Sequence, residues 1–304
     1  MVVPTPIATL THPNAVYSVA FAPNGKVLAS ASLDNTVKLW DVESGREKAR
    51  LRGHGDGVCG VAFSPDSKTM FSASLDRTLK IWDVDTGASQ VTLSGHQNSI
   101  ECMATSLDGK TLATGGHDNE IRIWSVERRT TTLVLKGHTE AVYDVALSAD
   151  GKLLASAGND NTLRLWDLKT GRQSSLLEGH VGTVQCVAFA GHKRTLASGG
   201  SDKTIRLWDI STPKLMETLK GHALGLKCLG YSPNGKLLAS GSSDATVRLW
   251  DATKKGAHVA TLKGHTNTVY CVAFSPDGGL LASASFDRTI KLWRSGADHL
   301  DTRR

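Results

Sequence analysis

The residues of this chain best suited to chemistry are serine, histidine and aspartate at fixed spacings. In one set the hydroxyl of Ser72 follows His54 by 18 positions, and the carboxylate of Asp76 follows it by 22. A hydroxyl, an imidazole and a carboxylate brought together can activate a nucleophile for acyl transfer, as in a catalytic triad. Composition alone therefore leaves a hydrolase-like site open.

The number of these sets argues against catalysis. Seven sets occur, each followed by a tryptophan six residues after the aspartate, whereas an enzyme needs one site. We therefore interpret the sets as repeated structure and predict that the chain is not an enzyme. The tryptophans are spaced by 42 residues five times and then by 43: Trp40, Trp82, Trp124, Trp166, Trp208, Trp250 and Trp293.

Each repeat contains four short segments rich in β-formers. In the second repeat they cover residues 58–63, 69–74, 78–84 and 89–93, separated by turns that contain Pro65 and Gly87. This pattern predicts an all-β protein. Twenty-eight strands in one open sheet would be unusual, and radial repetition of four-stranded sheets around a central axis avoids it.

The repeats resemble the WD-repeat (WD40) family. Each unit has a histidine, usually after glycine, then an aspartate 22 residues later and a tryptophan six residues after that. The resemblance covers residues 7 to 293, and five of the seven units carry the full Trp-Asp pair. It implies a seven-bladed β-propeller with four-stranded antiparallel blades.

The resemblance also implies a hydrogen-bonded network in every blade, which links the indole, a hydroxyl, the imidazole and the carboxylate. A buried indole N–H and a buried carboxylate both need such partners. The residues that we assign to this structural network in the second and fourth repeats are His54, Ser72, Asp76 and Trp82, and His138, Ser156, Asp160 and Trp166.

The two ends of the repeat array indicate how the ring closes. The seventh repeat lacks its own fourth segment, and residues 7–10 resemble the missing strand. We predict that this N-terminal strand completes the seventh blade and so removes an open sheet edge. Residues 1–295 would form a single propeller, and residues 296–304 a short disordered tail.

Tyrosines concentrate at one repeat position. The position five residues after the histidine holds three of the four tyrosines. In chain order its seven occupants are Tyr17, Cys59, Glu101, Tyr143, Gln185, Lys227 and Tyr270. The residue before the aspartate is apolar in three neighbouring blades, as Leu33, Leu75 and Phe286. Aromatic and apolar side chains are favoured at protein interfaces. We predict that partners bind through Tyr17, Leu33, Leu75, Glu101, Tyr143, Tyr270 and Phe286, although these side chains could instead pack over the rim and cap the core.

Two acidic residues depart from the repeat near the same mouth. Glu101 lies at the tyrosine-rich position, and Asp144 occupies a position where four units have cysteine. Together they could accept a basic side chain of a partner. A solvated rim carboxylate and a hydrogen-bonded inner aspartate are the alternative interpretation.

The formal net charge is +6, from 35 basic and 29 acidic residues. Seven basic residues recur two positions before each tryptophan, and we expect their charges to point to water. The unrepeated basic residues fall mostly in turns expected on the opposite face: Arg128, Arg129, Lys169, Arg172, His192, Lys193, Arg194, Lys214, Lys254 and Lys255. Aromatic residues are not interleaved with them, so a solvated basic rim is favoured over nucleic-acid binding.

Other features point to an intracellular protein, cytoplasmic or nuclear. There is no long apolar run, no signal-peptide pattern at the start and no CxxC pair among the five cysteines. The cysteines fall in an apolar strand, which favours their use as small buried hydrophobes. A reactive thiol is the alternative, with Cys59 as the best candidate. We predict no cofactor, metal or membrane contact. The function that we predict is a non-catalytic scaffold, a monomeric propeller within a multiprotein complex, with an RNA- or chromatin-associated subunit as the alternative.

Overall fold

The computed structural model describes residues 5–191 and 194–296. Within these ranges the chain forms short β-strands of four to seven residues, joined by turns. The strands are β1 (Ala8–Thr11), β2 (Val16–Phe21), β3 (Val27–Ser32), β4 (Thr36–Asp41), β5 (Glu47–Arg52), β6 (Val58–Phe63), β7 (Thr69–Ser74), β8 (Thr78–Asp83), β9 (Ser89–Ser94), β10 (Ile100–Thr105), β11 (Thr111–Gly116), β12 (Ile121–Ser125), β13 (Thr130–Leu135), β14 (Val142–Leu147), β15 (Leu153–Gly158), β16 (Leu163–Asp167), β17 (Arg172–Leu177), β18 (Val184–Phe189), β19 (Thr195–Gly200), β20 (Thr204–Asp209), β21 (Lys214–Lys220), β22 (Leu226–Tyr231), β23 (Leu237–Ser242), β24 (Thr246–Asp251), β25 (Ala257–Lys263), β26 (Val269–Phe274), β27 (Leu280–Ser285) and β28 (Thr289–Arg294).

These strands form seven four-stranded antiparallel sheets. Blades 1 to 6 each contain four consecutive strands, from β2–β5 to β22–β25, and blade 7 contains β26, β27, β28 and β1. The first strand of each blade contacts the first strand of the next, and β26 contacts β2, so these seven innermost strands close a ring. The predicted seven-bladed propeller is confirmed.

Ring closure by the N-terminal strand is also confirmed. Strand β1 pairs antiparallel with β28, with Ala8 opposite Leu292 and Thr11 opposite Thr289. The side chain of Leu10 is buried among residues of blades 7 and 1. The strand therefore supplies both a paired edge and core packing to the last blade.

The core lies between the blades, because each sheet buries both faces against its neighbours. In one cluster Trp82 of blade 2 packs with Val37 and Leu51 of blade 1, and the other described clusters repeat this arrangement. Close packing also fixes the turns. A side chain at Gly57 would place its Cβ 2.5 Å from Leu33 Cδ2.

The predicted propeller boundary at residue 295 and the disordered tail after it stay predictions. Residues 297–304 lie outside the described residues. Among the residues that the structure does describe, no helix has the length and apolar character needed to cross a membrane.

Candidate functional site at the channel mouth

The predicted network residues lie within hydrogen-bond distance in each blade. In blade 4 the Trp166 indole N–H donates to Ser156 Oγ at 2.9 Å. His138 Nε2 lies 2.7 Å from that hydroxyl, and Nδ1 lies 2.9 Å from the Asp160 carboxylate. Because the Asp160 carboxylate can only accept, the geometry matches the imidazole tautomer in which Nδ1 carries the proton and Nε2 accepts from the Ser156 hydroxyl.

Blade 2 has the same geometry. The Trp82 indole N–H donates to Ser72 Oγ at 2.8 Å. This hydroxyl oxygen lies 2.7 Å from His54 Nε2, and His54 Nδ1 lies 2.8 Å from the Asp76 carboxylate. The arrangement recurs in the other five blades, with Thr114 supplying the hydroxyl in blade 3. The strand register places the hydroxyl on the second strand and the indole on the third of the same sheet.

The environment of the network suits a structural role. Ser72 and Ser156 are fully buried, and each already accepts an indole N–H, so neither hydroxyl is presented to a substrate. Burial by itself raises the pKa of Asp76, but hydrogen bonds from His54, Thr78 and the Gly55 backbone outweigh it and hold the pKa below its usual range.

The mouth of the central channel brings together residues from all seven innermost strands. They line a cavity of about 340 Å³ that includes Tyr17, Glu101, Tyr143 and Tyr270. Tyr17 and Tyr270 come from the first and last innermost strands, which only ring closure makes neighbours. Their rings stack, with centroids 4.3 Å apart and planes inclined by 12°.

The apolar surface continues from this stacked pair around the rim. The Phe286 ring lies 6.2 Å from the Tyr270 ring and is 44% exposed. On the other side, Leu33 and Leu75 flank Gly57 and are half-buried. These five aromatic and aliphatic side chains lie in blades 7, 1 and 2, and we call them the apolar arc: Tyr17, Leu33, Leu75, Tyr270 and Phe286.

Part of the apolar arc also supports the core. Tyr17 and Leu75 pack against the buried cluster between blades 2 and 3, while Phe286 extends into solvent. The capping role considered from the sequence therefore applies to Tyr17 and Leu75, and Phe286 offers exposed apolar surface.

Glu101 and Tyr143 lie on the other side of the channel mouth. Glu101 pairs with His117 at 2.9 Å, and the His117 ring contacts Tyr143 edge-on at 6.2 Å. Burial raises the pKa of Glu101, although His117 opposes the shift. Next to them, Lys227 donates to Gln185 at 2.9 Å, so the mouth carries both signs of charge.

Asp144 lines the channel one residue further along the same strand as Tyr143. Its carboxylate accepts backbone N–H groups from Val145 at 2.9 Å and from Val187 at 2.8 Å. Burial nevertheless raises the pKa of Asp144 to about 7, because two backbone donors only partly replace lost hydration. Of the two interpretations of Asp144, the hydrogen-bonded inner aspartate matches the geometry.

Two expectations about individual side chains need correction. Cys59 is buried, its single S–H can donate to the carbonyl of Ala73 or of Ile100, and burial raises its pKa, so it is a poor nucleophile. Lys38 is buried and pairs with Glu47 at 2.9 Å instead of pointing to water. Its ammonium also lies over the ring of Trp40, which explains why this basic residue is drawn inward.

Sequence reasoning missed two exposed apolar residues on the face that bears the Gly-His turns. Val181 is 79% exposed and Leu224 is 47% exposed, in blades 5 and 6. Both stand in turns that directly follow a network histidine. Most repeats have a polar residue, glycine or proline directly after the histidine, so the departure at Val181 was visible in the sequence.

Most of the unrepeated basic residues within the described ranges lie in turns at the opposite ends of the strands. Arg128, Arg129, Lys169, Lys254 and Lys255 are exposed there, whereas His192 and Lys193 lie outside the described residues. Within the described ranges no group of three or more histidine, cysteine, aspartate or glutamate side chains is arranged to hold a metal ion.

The fold and the repeated network together define a seven-bladed propeller of Trp-Asp repeats. A family model described as "WD domain, G-beta repeat" matches seven segments of the chain, at residues 4–41, 45–83, 87–125, 129–167, 171–209, 213–251 and 256–294. The chain belongs to this WD40 family.

Individual relatives match only short segments. Coronin-7 of Rattus norvegicus is 46% identical over 57 residues, which are 18% of this chain and 6% of coronin-7. A Lissencephaly-1 homolog of Monosiga brevicollis is 46% identical over 55 residues, 17% of this chain and 13% of the relative. Ribosome assembly protein 4 of Saccharomyces cerevisiae is 50% identical over 42 residues, 14% of this chain and 8% of the relative. Each match therefore spans little more than one repeat of this chain and at most 13% of the relative's length.

Proposed function

We propose that this chain is a non-catalytic scaffold that binds protein or peptide segments at the mouth of its channel. The observation that carries the proposal is the Tyr17–Tyr270 stack with Phe286 exposed beside it. Stacked, half-buried aromatic rings present a large contact area with little rotamer entropy left to lose on binding. Family membership supports the coarse role, since the relatives named above include a protein named for ribosome assembly.

The channel mouth also supports a distinct polar contact for the partner. Glu101 is partly buried, and the Tyr143 ring stands beside His117 at the same edge. A cationic side chain from a partner would meet a carboxylate in a partly desolvated site, which favours a charge-assisted hydrogen bond. Binding would therefore combine an apolar anchor on the arc with a basic side chain near Glu101.

Co-purification tests this proposal. The double variant Tyr17→Ala/Tyr270→Ala should lose partners that copurify with the wild-type chain, while its circular dichroism spectrum stays that of a β-propeller. The matched control Thr132→Ala/Ser174→Ala changes two exposed residues on the outer strands of blades 3 and 4. Unchanged partners for the folded Tyr17→Ala/Tyr270→Ala variant would refute the site.

The alternative, a nucleic-acid-associated subunit, would use the exposed basic turns of the opposite face. Arg128 and Arg129 would be central to it, since they stand together in one turn. Phosphate contacts would make RNA affinity fall steeply with salt. A chain that fails to bind RNA even at low salt would remove this alternative.

A further inference from the structure

A second cavity, of about 280 Å³, lies between blades 5 and 6 near the face opposite the channel mouth. Its inner wall is formed by Leu207 and Leu219 of blade 5 and by Leu238 of blade 6. Met216 and Lys255, which are exposed, line its outer side, so the cavity is continuous with the surface.

The cavity has an identifiable origin in one residue. The second residue after the tryptophan is valine, leucine or isoleucine in five blades and packs into the adjoining core cluster: Val42, Val84, Val126, Leu168 and Ile210. Blade 6 has Ala252 at this position, and Ala252 lines the cavity. The shorter side chain leaves unfilled a space that its counterparts occupy, at a cost in packing.

The outer strand of blade 5 shows a second departure at the same cavity. In blades 1 to 6 the outer strand carries one extra residue in a β-bulge opposite the tryptophan, and this residue is exposed in all six. It is polar in blades 1 to 4, as Lys48, Gln90, Thr132 and Ser174. It is apolar in blades 5 and 6, as Met216 and Val259, which are 58% and 44% exposed, and of these two Met216 lines the cavity.

Charge around the cavity indicates the character of an occupant. Lys255 lines the cavity, Lys254 precedes it in the same turn and Lys214 begins the outer strand of blade 5. All three lysines are exposed, and Glu217 is the one acidic residue among those that line the cavity. Lys254 is 3.9 Å from Asp251 and is otherwise directed to solvent. An acidic partner would find complementary charge here.

Tyr231 adds a polar group to the apolar wall. Four of the other six repeats have phenylalanine at this position. Within the described residues its hydroxyl has no hydrogen-bond partner, and burial raises its pKa, so it stays a neutral phenol. A phenol in this setting can donate a hydrogen bond to a backbone carbonyl of a bound segment.

We propose that the cleft between blades 5 and 6 binds an acidic peptide segment of a partner protein, with one apolar side chain of that segment inserted beside Ala252. The missing side chain supplies the space, the exposed Met216 supplies an apolar contact at its edge, and the lysines supply attraction for acidic residues. This surface lies at the opposite face from the channel mouth, so it does not depend on binding there.

Selection of peptides tests the proposal. Random peptides of about 12 residues, displayed on phage, are selected against the full chain, and recovered sequences are titrated by fluorescence polarisation. We expect acidic sequences around one aliphatic or aromatic residue, with affinity that falls as salt rises. Replacing that residue by alanine should weaken binding by about tenfold or more, as loss of a buried apolar side chain does.

Two variants separate the cavity from the rest of the surface. Ala252→Leu restores the side chain that other blades have, so it should melt no lower than wild type yet bind the peptides about tenfold more weakly or worse. Met216→Gln gives the bulge the polar residue of blade 2 and should also weaken binding. Tyr17→Ala/Tyr270→Ala should leave these peptides unaffected.

Three results would overturn the proposal. The first is equal peptide affinity for wild type, Ala252→Leu and Met216→Gln. The second is a wild-type dimer in sedimentation that Met216→Gln dissociates, which would assign the cleft to a second copy of the chain. The third is binding of single-stranded RNA that Lys254→Glu/Lys255→Glu abolishes while no peptide is recovered.

Discussion

The carboxylate of Asp144 in blade 4 accepts a hydrogen bond from the backbone N–H of Val187 in blade 5, at 2.8 Å. At the equivalent place between blades 1 and 2, the neutral hydroxyl of Ser18 lies 3.4 Å from the Val61 N–H. One ionisable group thus bridges two blades where the repeat elsewhere uses a neutral side chain or none. Its burial raises its pKa to about 7.

This relationship predicts a pH-dependent contribution to stability. A carboxyl whose pKa is higher in the folded than in the unfolded chain favours folding most when protonated. The contribution of Asp144 to the free energy of unfolding is therefore complete below about pH 4 and is lost as the pH rises through about 7. Asp144→Asn should remove that loss, which is on the order of a few kcal/mol.

Urea unfolding at about pH 5.5 and about pH 8.5 measures this effect. The stability of Asp144→Asn relative to wild type should rise between the two pH values, whereas a uniform change would show that Asp144 does not titrate there. Burial lowers the pKa of His12 and His180, so their contribution to stability rises with pH, opposite to that of Asp144. Comparing the variant with wild type at each pH removes this shared contribution.

Removing one hydroxyl from the network should destabilise a whole blade. Ser156→Ala leaves the buried indole N–H of Trp166 and the imidazole of His138 without their shared partner. Each unpaired buried group costs about 1–3 kcal/mol, so we expect a loss of that size or somewhat larger in the free energy of unfolding. Ser174→Ala, at an exposed bulge in the same blade, should change stability by less than about 0.5 kcal/mol. Equal effects of the two changes would contradict a stabilising role for the network.

The closing strand should contribute strongly to stability. Deleting residues 1–11 removes β1 and exposes the edge of β28, so the melting temperature should fall sharply. Leu10→Ala tests the packing part alone and should cost about 2–5 kcal/mol, since Leu10 is buried between blades 7 and 1. Thr9→Ala, exposed on the same strand, is the control. A melting temperature unaffected by the deletion would contradict this account.

The repeat made much of the architecture predictable, because one 42-residue unit with four β-rich segments has few ways to bury both faces of its sheet. Once the ring was closed, the neighbouring positions of Tyr17 and Tyr270 followed from repeat position alone. The bridge from Asp144 to Val187 could not be found in this way, since it depends on the height at which adjacent inner strands face each other.

Two other features could not be predicted from the sequence, for a different physical reason. The cavity beside Ala252 results from side-chain volume summed over two blades. The alanine departs from the valine, leucine or isoleucine of five other repeats, but the sequence does not show that the neighbouring side chains leave this space unfilled. Met216 is the extra residue of a β-bulge that shifts the strand register by one residue, so a simple alternation of inward and outward side chains does not place it.

The most direct test of the central proposal is a photo-crosslink at the channel mouth. A benzoylphenylalanine replaces Phe286, which is 44% exposed at the end of the apolar arc, and in parallel replaces Leu107, which is 68% exposed in a turn of the opposite face. We predict a protein adduct from position 286 that disappears when Tyr17→Ala/Tyr270→Ala is added, and no such adduct from position 107. An adduct that persists in the folded Tyr17→Ala/Tyr270→Ala background, or none at position 286, would contradict partner binding at the channel mouth.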